Sequence, residues 1–423
     1  MRPEGRDARP AQPLVLRREA FGGILFDPVD GTHLELDAGG FEVVRGWLVD
    51  GREPTAPDAL DFVASVRREM PTLGSGARRV RARLELPALP QARHATVLGA
   101  PTLVDLQVTR RCTMGCPQCY AASEPEGAHM ALPDAARVLG EVAAAGTCQL
   151  AIGGGEPLLH PDIVPILDLA HELGLVPNLT TTGLGLTPRV LDALARSCGA
   201  VALSLEDVGA GFALRRKAGF AFFEAALAKL RAHAVRTVFQ VTLSGENLPR
   251  LPAIVDYCLA VPELYGVIFL AHKPVGRGEG YDTPLSAVHP DELYPWLREA
   301  FLRLVGHTKV GYDCCLTPGI AGLDVELGFG EREQLEGCSA ARSSVGVSTD
   351  LDVVPCTFLT HRPLGNLRSR SLLDIWQGPE ATAFRAELDA LGDGRAACRT
   401  CRLRDACLGG CPEWDLVRCT RDG

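Results

Sequence analysis

An α/β chain in three regions is what this sequence predicts: a small N-terminal α+β module, an open barrel of six strand–helix units, and a cysteine-rich, loop-rich C-terminal domain. Three observations predict it. Apolar runs of strand length alternate with amphipathic segments of helix length from Thr102 to about residue 310, the pattern of a parallel sheet covered by helices. Three short alternating runs joined by turn residues precede that region. Nine of the fifteen cysteines follow it, in a stretch whose core is too small to stand without metal staples.

Within residues 14–95, Leu14–Glu19, Gly23–Phe26 and Thr32–Leu36 read as strands, with Asp27-Pro28-Val29-Asp30-Gly31 as a hairpin-type turn. Gly40–Leu48 and Asp58–Met70 carry helical spacing, and Arg78–Arg83 reads as the start of a third helix or as a linker. In residues 102–310 the strands are Leu103–Val108, Gln149–Ile152, Pro177–Thr181, Ala200–Leu205, Thr237–Leu243 and Gly266–Leu270. The helices between them are Ala131–Ala145, Asp162–Leu173, Arg189–Ser197, Phe220–His233 and Leu248–Leu259. Six such units imply a partial (β/α)6 barrel of the TIM type, with its functional groups at the C-terminal ends of the strands. Residues 311–423 make the third region.

Composition narrows the partners. A net charge of −9 argues against bulk nucleic-acid binding, and the excess of arginine over lysine, 39 to 4, reads as compositional bias rather than phosphate recognition. No run of eighteen apolar residues exists, so no membrane is expected as a partner. The polar, proline-dotted segment Met1–Pro13 lacks the apolar core of a signal peptide. A cytoplasmic location is expected, where fifteen cysteines read as metal ligands before disulfides.

The densest chemistry is Cys112-Thr-Met-Gly-Cys116-Pro-Gln-Cys119, directly after the first barrel strand. It offers three thiolates from one wrap, and Gly115 permits the tight turn. A cubane [4Fe–4S] cluster held by three cysteines keeps one iron open to a small molecule. The second strand runs into Gly153-Gly154-Gly155-Glu156-Pro157, where glycines allow a ligand close to the backbone and the carboxylate can accept from an ammonium group. The third ends in Thr180-Thr181-Thr182-Gly183, and on the fourth Ser204 and Glu206 alternate to one face. The tail reads Cys398-x2-Cys401-x5-Cys407-x3-Cys411-x7-Cys419, with Cys338 and Cys356 upstream. By residue type alone, a zinc knuckle at the first loop and a zinc-ribbon-like structural site in the tail remain open.

With CxxxCxxC at one strand end and GGGEP at the next, residues 102–423 resemble the radical SAM family carrying its SPASM extension. The resemblance implies a [4Fe–4S] cluster whose open iron binds S-adenosylmethionine (SAM), and reductive cleavage to a 5′-deoxyadenosyl radical. It implies that Tyr120 packs on adenine and that Gly154, Gly155 and Glu156 hold the methionine amine. It further implies that Thr182 lies in a polar turn near the cofactor, that Ser204 and Glu206 face its ribose and carboxylate region, and that Arg216, with Arg215 as the alternative, pairs the SAM carboxylate. Two auxiliary Fe–S clusters are implied, [4Fe–4S] in type: one on Cys398, Cys401, Cys407 and Cys419, the other on Cys338, Cys356 and Cys411. Sulfatase-maturing relatives carry an extra cysteine shortly after the first of these, where this chain reads Ser339–Ser344; Cys315 is favoured as the fourth ligand, with Cys314 or an open iron as the alternatives.

Two departures from the family pattern stand out. Leu351 occupies a usual glycine position, which is expected to loosen a turn. Thr357 stands where sulfatase maturases have a catalytic aspartate, which argues against a formylglycine-generating role. No catalytic residue is assigned, and Asn247 and the Pro274–Gly278 turn match the family in place only. Cys148, Cys198 and Cys258 read as core packing, and His160 and His272 as structural residues near strand ends.

The N-terminal strands and helices resemble the winged-helix-like RiPP recognition elements, similar to the small peptide chaperone of pyrroloquinoline quinone biosynthesis, which capture a leader peptide as an added strand. The basic run Arg78–Arg83 either steers an acidic leader or is a solvated helix face. The implied function is oxidative modification, such as a carbon–carbon or thioether crosslink, of a ribosomally made precursor peptide held by its leader, with a flavodoxin- or ferredoxin-type external electron donor. Two other readings compete. One is the same chemistry on a non-peptide such as a tetrapyrrole intermediate. The other is an iron–sulfur electron carrier without SAM chemistry, which leaves Gly154, Gly155, Glu156 and Arg216 unexplained.

Overall fold

The computed structural model of the chain describes residues 12–75, 79–85, 97–281, 283–327, 336–395 and 398–419. Alternating apolar positions pair three antiparallel strands at the start: β1 (Leu14–Glu19), β2 (Gly22–Phe26) and β3 (His33–Asp37). The turn between β2 and β3 closes on the Asp27 carbonyl, which accepts from Gly31 N–H at 2.9 Å with Gly31 at φ +79°. Asp37 then caps α1 (Ala38–Leu48) by accepting from Gly40 N–H at 2.6 Å, and a proline opens α2 (Pro57–Glu69). Phe41, Val44, Val66 and Met70 of this helical layer pack on Leu14, Leu16 and Leu25.

The predicted third helix or linker is instead a strand. β4 (Val80–Arg83) pairs parallel with β1, giving the order β3-β2-β1-β4. The alternation Val80, Arg81, Ala82, Arg83 has period two, which places both arginines on one face. That face meets the barrel at the C-terminal end of α3 (Leu132–Ala144), where helical carbonyls lack intrahelical donors. Arg81 donates to the carbonyls of Ala143 at 3.0 Å and Thr147 at 2.9 Å, and Arg83 to Ala145 at 2.6 Å. Arg17, fully buried, donates to the carbonyls of Ala100, Pro101 and Gly146 and pairs with Glu19 at 2.7 Å. Arg81 and Arg83 therefore act as a clamp rather than as a solvated helix face; Arg79 is exposed, and Arg78 lies outside the described residues. Cys148 is buried in the same junction with Val15, Phe26 and Val176.

The barrel continues as β5 (Leu103–Thr109), β6 (Gln149–Gly154), α4 (Ile163–Glu172), β7 (Val176–Thr181), α5 (Pro188–Ser197) and β8 (Val201–Ser204). It goes on through α6 (Ala210–Arg215), α7 (Phe220–Ala232), β9 (Thr237–Leu243), α8 (Leu251–Ala260), β10 (Gly266–Ala271), α9 (Pro290–Leu304), β11 (Lys309–Tyr312) and α10 (Thr317–Leu327). Next come β12 (Ser344–Val347), β13 (Asp352–Val354), β14 (Gly365–Asn366), α11 (Leu372–Trp376), α12 (Pro379–Gly394) and α13 (Arg404–Cys407). The sheet order is β11-β10-β9-β8-β7-β6-β5-β12-β13-β14, parallel from β11 to β12. Helices cover the sheet, and the strands are correspondingly rich in Val, Leu and Ile. Cys198 and Cys258 lie in that core, as expected of them.

Two parallel strands exceed the six predicted. β11 is short and β12 reads Ser-Val-Gly-Val, and β12 pairs with a strand far away in sequence, which no local period reveals. The C-terminal region is also less loop-rich than expected, since α12 alone has 16 residues. The turn from β12 to β13 is not loosened at Leu351. It closes through Leu351 N–H to Ser348 O at 3.0 Å, with Leu351 held at φ +70° and fully buried. A left-handed L-residue costs about 1–2 kcal/mol, and burying a leucine contributes about 1.5–3 kcal/mol, so the side chain offsets the strain.

Two stability outcomes follow. Replacing Arg17 by Met leaves Glu19 buried without its partner and is expected to cost about 3–5 kcal/mol in urea unfolding; a loss below about 1 kcal/mol, the range of exposed pairs, would sink the clamp. At position 351, Ala forfeits the leucine contacts and keeps the strain, while Gly forfeits the contacts and relieves it. Melting temperatures are expected to fall in the order wild type, Leu351→Gly, Leu351→Ala, and an Ala variant above the Gly variant contradicts the strain argument.

Candidate active site

Gly115, at φ +62°, turns the loop after β5 so that Cys112 and Cys116 are buried and Cys119 is half-buried. The loop is gripped from across the barrel mouth. Arg277 donates from Nε to Cys116 O at 3.0 Å, from Nη1 to Ser123 O at 2.8 Å and from its backbone N–H to Cys119 O at 3.0 Å. Gly276 permits this approach, since a Cβ there would sit 2.2 Å from Tyr120 O. Burial pushes the Cys116 thiol up, and Arg216, whose Nη1 lies 3.4 Å from its sulfur, opposes that.

Two of the three glycines at the end of β6 admit the protein's own backbone. A Cβ at Gly154 would lie 2.3 Å from Thr109 O, and one at Gly155 would lie 2.2 Å from Arg111 O. These two positions let β6 meet the start of the cysteine loop, where Gly155 N–H donates to Thr109 O at 2.7 Å. Gly153 is the one of the three whose Cβ position faces open space. Glu156 likewise turns inward. It is fully buried and accepts from Thr181 Oγ1 at 2.7 Å, Thr182 N–H at 2.8 Å, Thr182 Oγ1 at 2.6 Å and Leu158 N–H at 3.2 Å. Burial raises its pKa and the Thr182 and Thr181 hydrogen bonds oppose the rise. Glu156 thus ties the ends of β6 and β7, and Thr182 is its partner.

A second polar group stands at the end of β8. Ser204 closes the strand beside Gln240 of β9, and Glu206 follows in the left-handed region at φ +60°. Asn247, fully buried, donates to Glu206 O at 2.9 Å and fixes that conformation. Glu206 accepts from Arg216 Nη2 at 2.6 Å and from Gln118 Nε2 at 2.7 Å. Burial works against the Arg216 charge, yet Glu206 and Cys116 outweigh it and raise its pKa. Two buried atoms of this group have no hydrogen-bond partner: Arg216 Nε and Gln118 Oε1. Arg215 points elsewhere, towards Ser244 Oγ at 3.4 Å.

The C-terminal cysteines form two further groups. Cys314, two residues after β11, lies within hydrogen-bonding reach of the thiols of Cys315 and Cys338, and Cys315 reaches Cys411. Cys356 interacts electrostatically with Cys314. Both adjacent cysteines thus join this group, where the sequence favoured Cys315 alone. Around Cys407 stand Cys419, Cys398 and Cys401. Leu408, Gly409 and Gly410, all at positive φ, reverse the chain between Cys407 and Cys411. Tyr120 lies between the first and second groups. Its ring meets Phe358 at 4.6 Å, and burial raises its hydroxyl pKa, as do the charges of Asp105, Cys119 and Cys356. His160 is structural: Nε2 meets Met130 O at 2.8 Å and Nδ1 accepts from Asp162 N–H at 3.0 Å.

Sequence reasoning missed Arg277, Gln118 and the Lys273–Asp313 ion pair, and gave Asn247 no role. The Pro274–Gly278 turn was the available signal for Arg277, and the family-like placement of Asn247 the signal for that residue; nothing local marked Gln118 or the Lys273–Asp313 pair.

A family profile described as the radical SAM superfamily matches residues 106–258, and one described as the SPASM iron-sulfur cluster-binding domain matches residues 338–402. A PqqA peptide cyclase from Rhodopseudomonas palustris is 33% identical over 339 residues, covering 75% of this chain and 83% of that protein. The chain belongs to the radical SAM superfamily. An AdoMet-dependent heme synthase from Methanosarcina barkeri is 26% identical over 328 residues, covering 73% of this chain and 91% of that protein. Among solved structures, Streptococcus suis SuiB bound to its precursor peptide SuiA matches with a TM-score of 0.71 at 16% identity, covering 97% of this chain and 98% of that one, which shows a shared fold.

Membership brings a [4Fe–4S] cluster and SAM, and the SPASM domain brings auxiliary Fe–S clusters. The donor sets fit such groups. All fifteen cysteines are free thiols, and twelve of them gather at three places, Cys148, Cys198 and Cys258 being packed in the core. Among the described residues no three His, Cys, Asp or Glu side chains are spaced for a single ion. The unpartnered Arg216 Nε and Gln118 Oε1 beside the first loop fit a bound polar ligand.

Replacing Arg277 by Ala removes the guanidinium donors from the carbonyls of Cys116 and Ser123, leaving Cys116 O only the longer bond from Cys119 N–H. Reconstituted protein is expected to lose iron from the first site, read as iron content and visible absorbance; full retention would remove the grip assigned to Arg277.

Proposed function

We propose that this chain is a radical SAM maturase that oxidatively modifies a ribosomally made precursor peptide. Cys112, Cys116 and Cys119 would hold the first cluster. Cys338, Cys356 and Cys411, completed by Cys314 or Cys315, would hold one auxiliary cluster, and Cys398, Cys401, Cys407 and Cys419 the other. Arg216, through its unpartnered Nε, is suited to the SAM carboxylate, and the open side of Gly153 with Ser204 to the rest of the molecule. When bound, the cluster supplies the electron that cleaves SAM and so the radical that abstracts hydrogen. The chain's own residues place the substrate: Arg277 and Asn247 hold the mouth rigid, Glu156 fixes the β6–β7 ends, and the buried walls keep water from a reactive species. Reducing equivalents would come from a flavodoxin- or ferredoxin-type donor.

The observation that carries the peptide reading is the clamped N-terminal sheet. Its β4 side is tied to the barrel by Arg81 and Arg83, and β3 is its outermost strand on the other side. An outermost strand offers backbone groups to an extended peptide. The named relatives point the same way, a peptide cyclase at 33% identity and a peptide-bound neighbour in fold. A tetrapyrrole substrate is the second reading, and the heme synthase relative favours it.

The deciding experiment is anaerobic incubation of reconstituted enzyme, SAM and dithionite with short peptides encoded beside the gene. Loss of two hydrogens from one peptide, with 5′-deoxyadenosine, is expected; turnover of a porphyrin precursor and of no peptide would favour the second reading. In hydrogen exchange, leader binding is expected to protect amides 33–37 of β3 and leave 80–83 of β4 unchanged. Protection elsewhere only would remove β3 as the docking edge.

A further inference from the structure

A cavity of about 600 Å³ opens on the seam of the barrel between β11 and β12, which end the run of parallel strands without pairing to each other. That volume lies in the range of small-molecule sites and admits a whole side chain. It reaches the second thiol group, since Cys314 and Cys356 line it, and it passes Phe301 and Phe358. Among the described residues, no Lys, Arg or His lines it, whereas Asp105, Asp313 and Glu336 do.

The three carboxylates are not equivalent. Asp313 is paired with the buried Lys273 and also accepts from Ala271 and Leu316 N–H. Glu336 is exposed and accepts from Ser343 Oγ at 2.7 Å. Asp105 has one hydroxyl on it, Thr357 Oγ1 at 2.9 Å, and no cation. Burial pushes its carboxyl up to about 6, as expected of a charge without compensation.

The contact is built with care. Asp105 stands opposite Gly346 in the β5–β12 pairing, and a Cβ on Gly346 would lie 2.9 Å from Thr357 Cγ2 and 3.0 Å from its backbone nitrogen. Glycine at 346 therefore lets the β12–β13 hairpin deliver Thr357 to Asp105. Thr357 follows Cys356 directly, so the oriented carboxylate stands beside the second thiol group. Thiolates around a cluster would add negative charge to that end of the cavity, offset in part by the buried Lys273, which acts on Cys314 and Cys356 and is itself paired with Asp313. An apolar-walled space with an uncompensated carboxylate and thiolates favours a positive occupant.

We infer that this cavity receives a positively charged side chain of the substrate, its guanidinium or ammonium group anchored on Asp105, with Thr357 as the positioning residue. The inference rests on the peptide reading for its substrate, and gives that peptide a lysine or arginine in the modified region. Asp105 fixes where that segment lies relative to the SAM site without itself breaking a bond.

The test needs no known substrate. Reconstituted holoenzyme is titrated with n-butylguanidinium and with its neutral isostere n-butylurea, followed by ligand-observed NMR. Butylguanidinium is expected to bind, butylurea to bind at least about tenfold more weakly, and Asp105→Asn to lose about tenfold for the cation alone. Thr357→Val is expected to weaken the cation less, with Thr357→Ser restoring it. Iron content and unfolding midpoint identify any variant that has lost its fold, and the butylurea comparison on the wild type stands whatever those variants do. Equal binding of the two probes to wild type, or unchanged cation binding in folded Asp105→Asn, overturns the inference. Mass spectrometry then separates it from the peptide reading. A peptide converted without any Lys or Arg in its core overturns the anchor and keeps the maturase; no converted peptide, with the cation still bound through Asp105, does the reverse.

Discussion

The parallel pairing of β12 with β5 is the constraint on which the rest of the site depends. It joins Ser344–Val347 to Leu103–Leu106, two segments some 240 residues apart, and each leads into thiols. β5 runs into the Cys112 loop, and the β12–β13 hairpin runs into Cys356. Without that ladder the first and second cysteine groups would belong to separate bodies. With it, Tyr120 and Phe358 touch and Thr357 reaches Asp105. The closure entropy of so long a loop grows only slowly with its length, so a few backbone hydrogen bonds together with core burial suffice to hold it.

Buried ion pairs mark the joints of this frame. Arg17–Glu19 lies where the N-terminal sheet meets the barrel, Arg216–Glu206 beside the first cysteine loop, and Lys273–Asp313 beside the second. Pairs of this kind are poor sources of net stability, because desolvation consumes much of their Coulomb energy. Each is here extended by further hydrogen bonds, to three carbonyls for Arg17 and to Gln118 for Glu206. Such networks admit one arrangement and penalise others steeply. A site that must hold a reactive species against water needs that kind of specification more than it needs stability.

Much of the barrel and the first cysteine loop were legible in the sequence, because their signals are local, whereas the grouping of the C-terminal cysteines came from the resemblance to the SPASM extension. Periods of two and of 3.6 mark strands and helices, and spacings such as Cys112-x3-Cys116-x2-Cys119 mark a loop that wraps its ligands. The misreading of the N-terminal module has a physical cause: Arg78–Arg83 reads as a helix or linker because its charged face looks solvated, while the partner of Arg81 and Arg83, the end of α3, lies some sixty residues further on. Gly154 and Gly155 read as ligand-facing, and the structure adds a second requirement for them, the close approach of Thr109 O and Arg111 O on the neighbouring strand end.

The sequence by itself determined which residues carry the chemistry: the thiol triad and the tail cysteines, the polar strand ends, and the glycine and proline punctuation that lets them be presented. Only the tertiary structure decided what those residues face. Glu156 is saturated by Thr181 and Thr182, Arg216 keeps one free donor, and Cys314 and Cys315 stand together beside Cys338 and Cys411. Asp105 acquires meaning only once Gly346 lets Thr357 approach. The physical reason is that composition and period act along the chain, whereas hydrogen-bond saturation, desolvation and charge compensation depend on neighbours supplied by strand order.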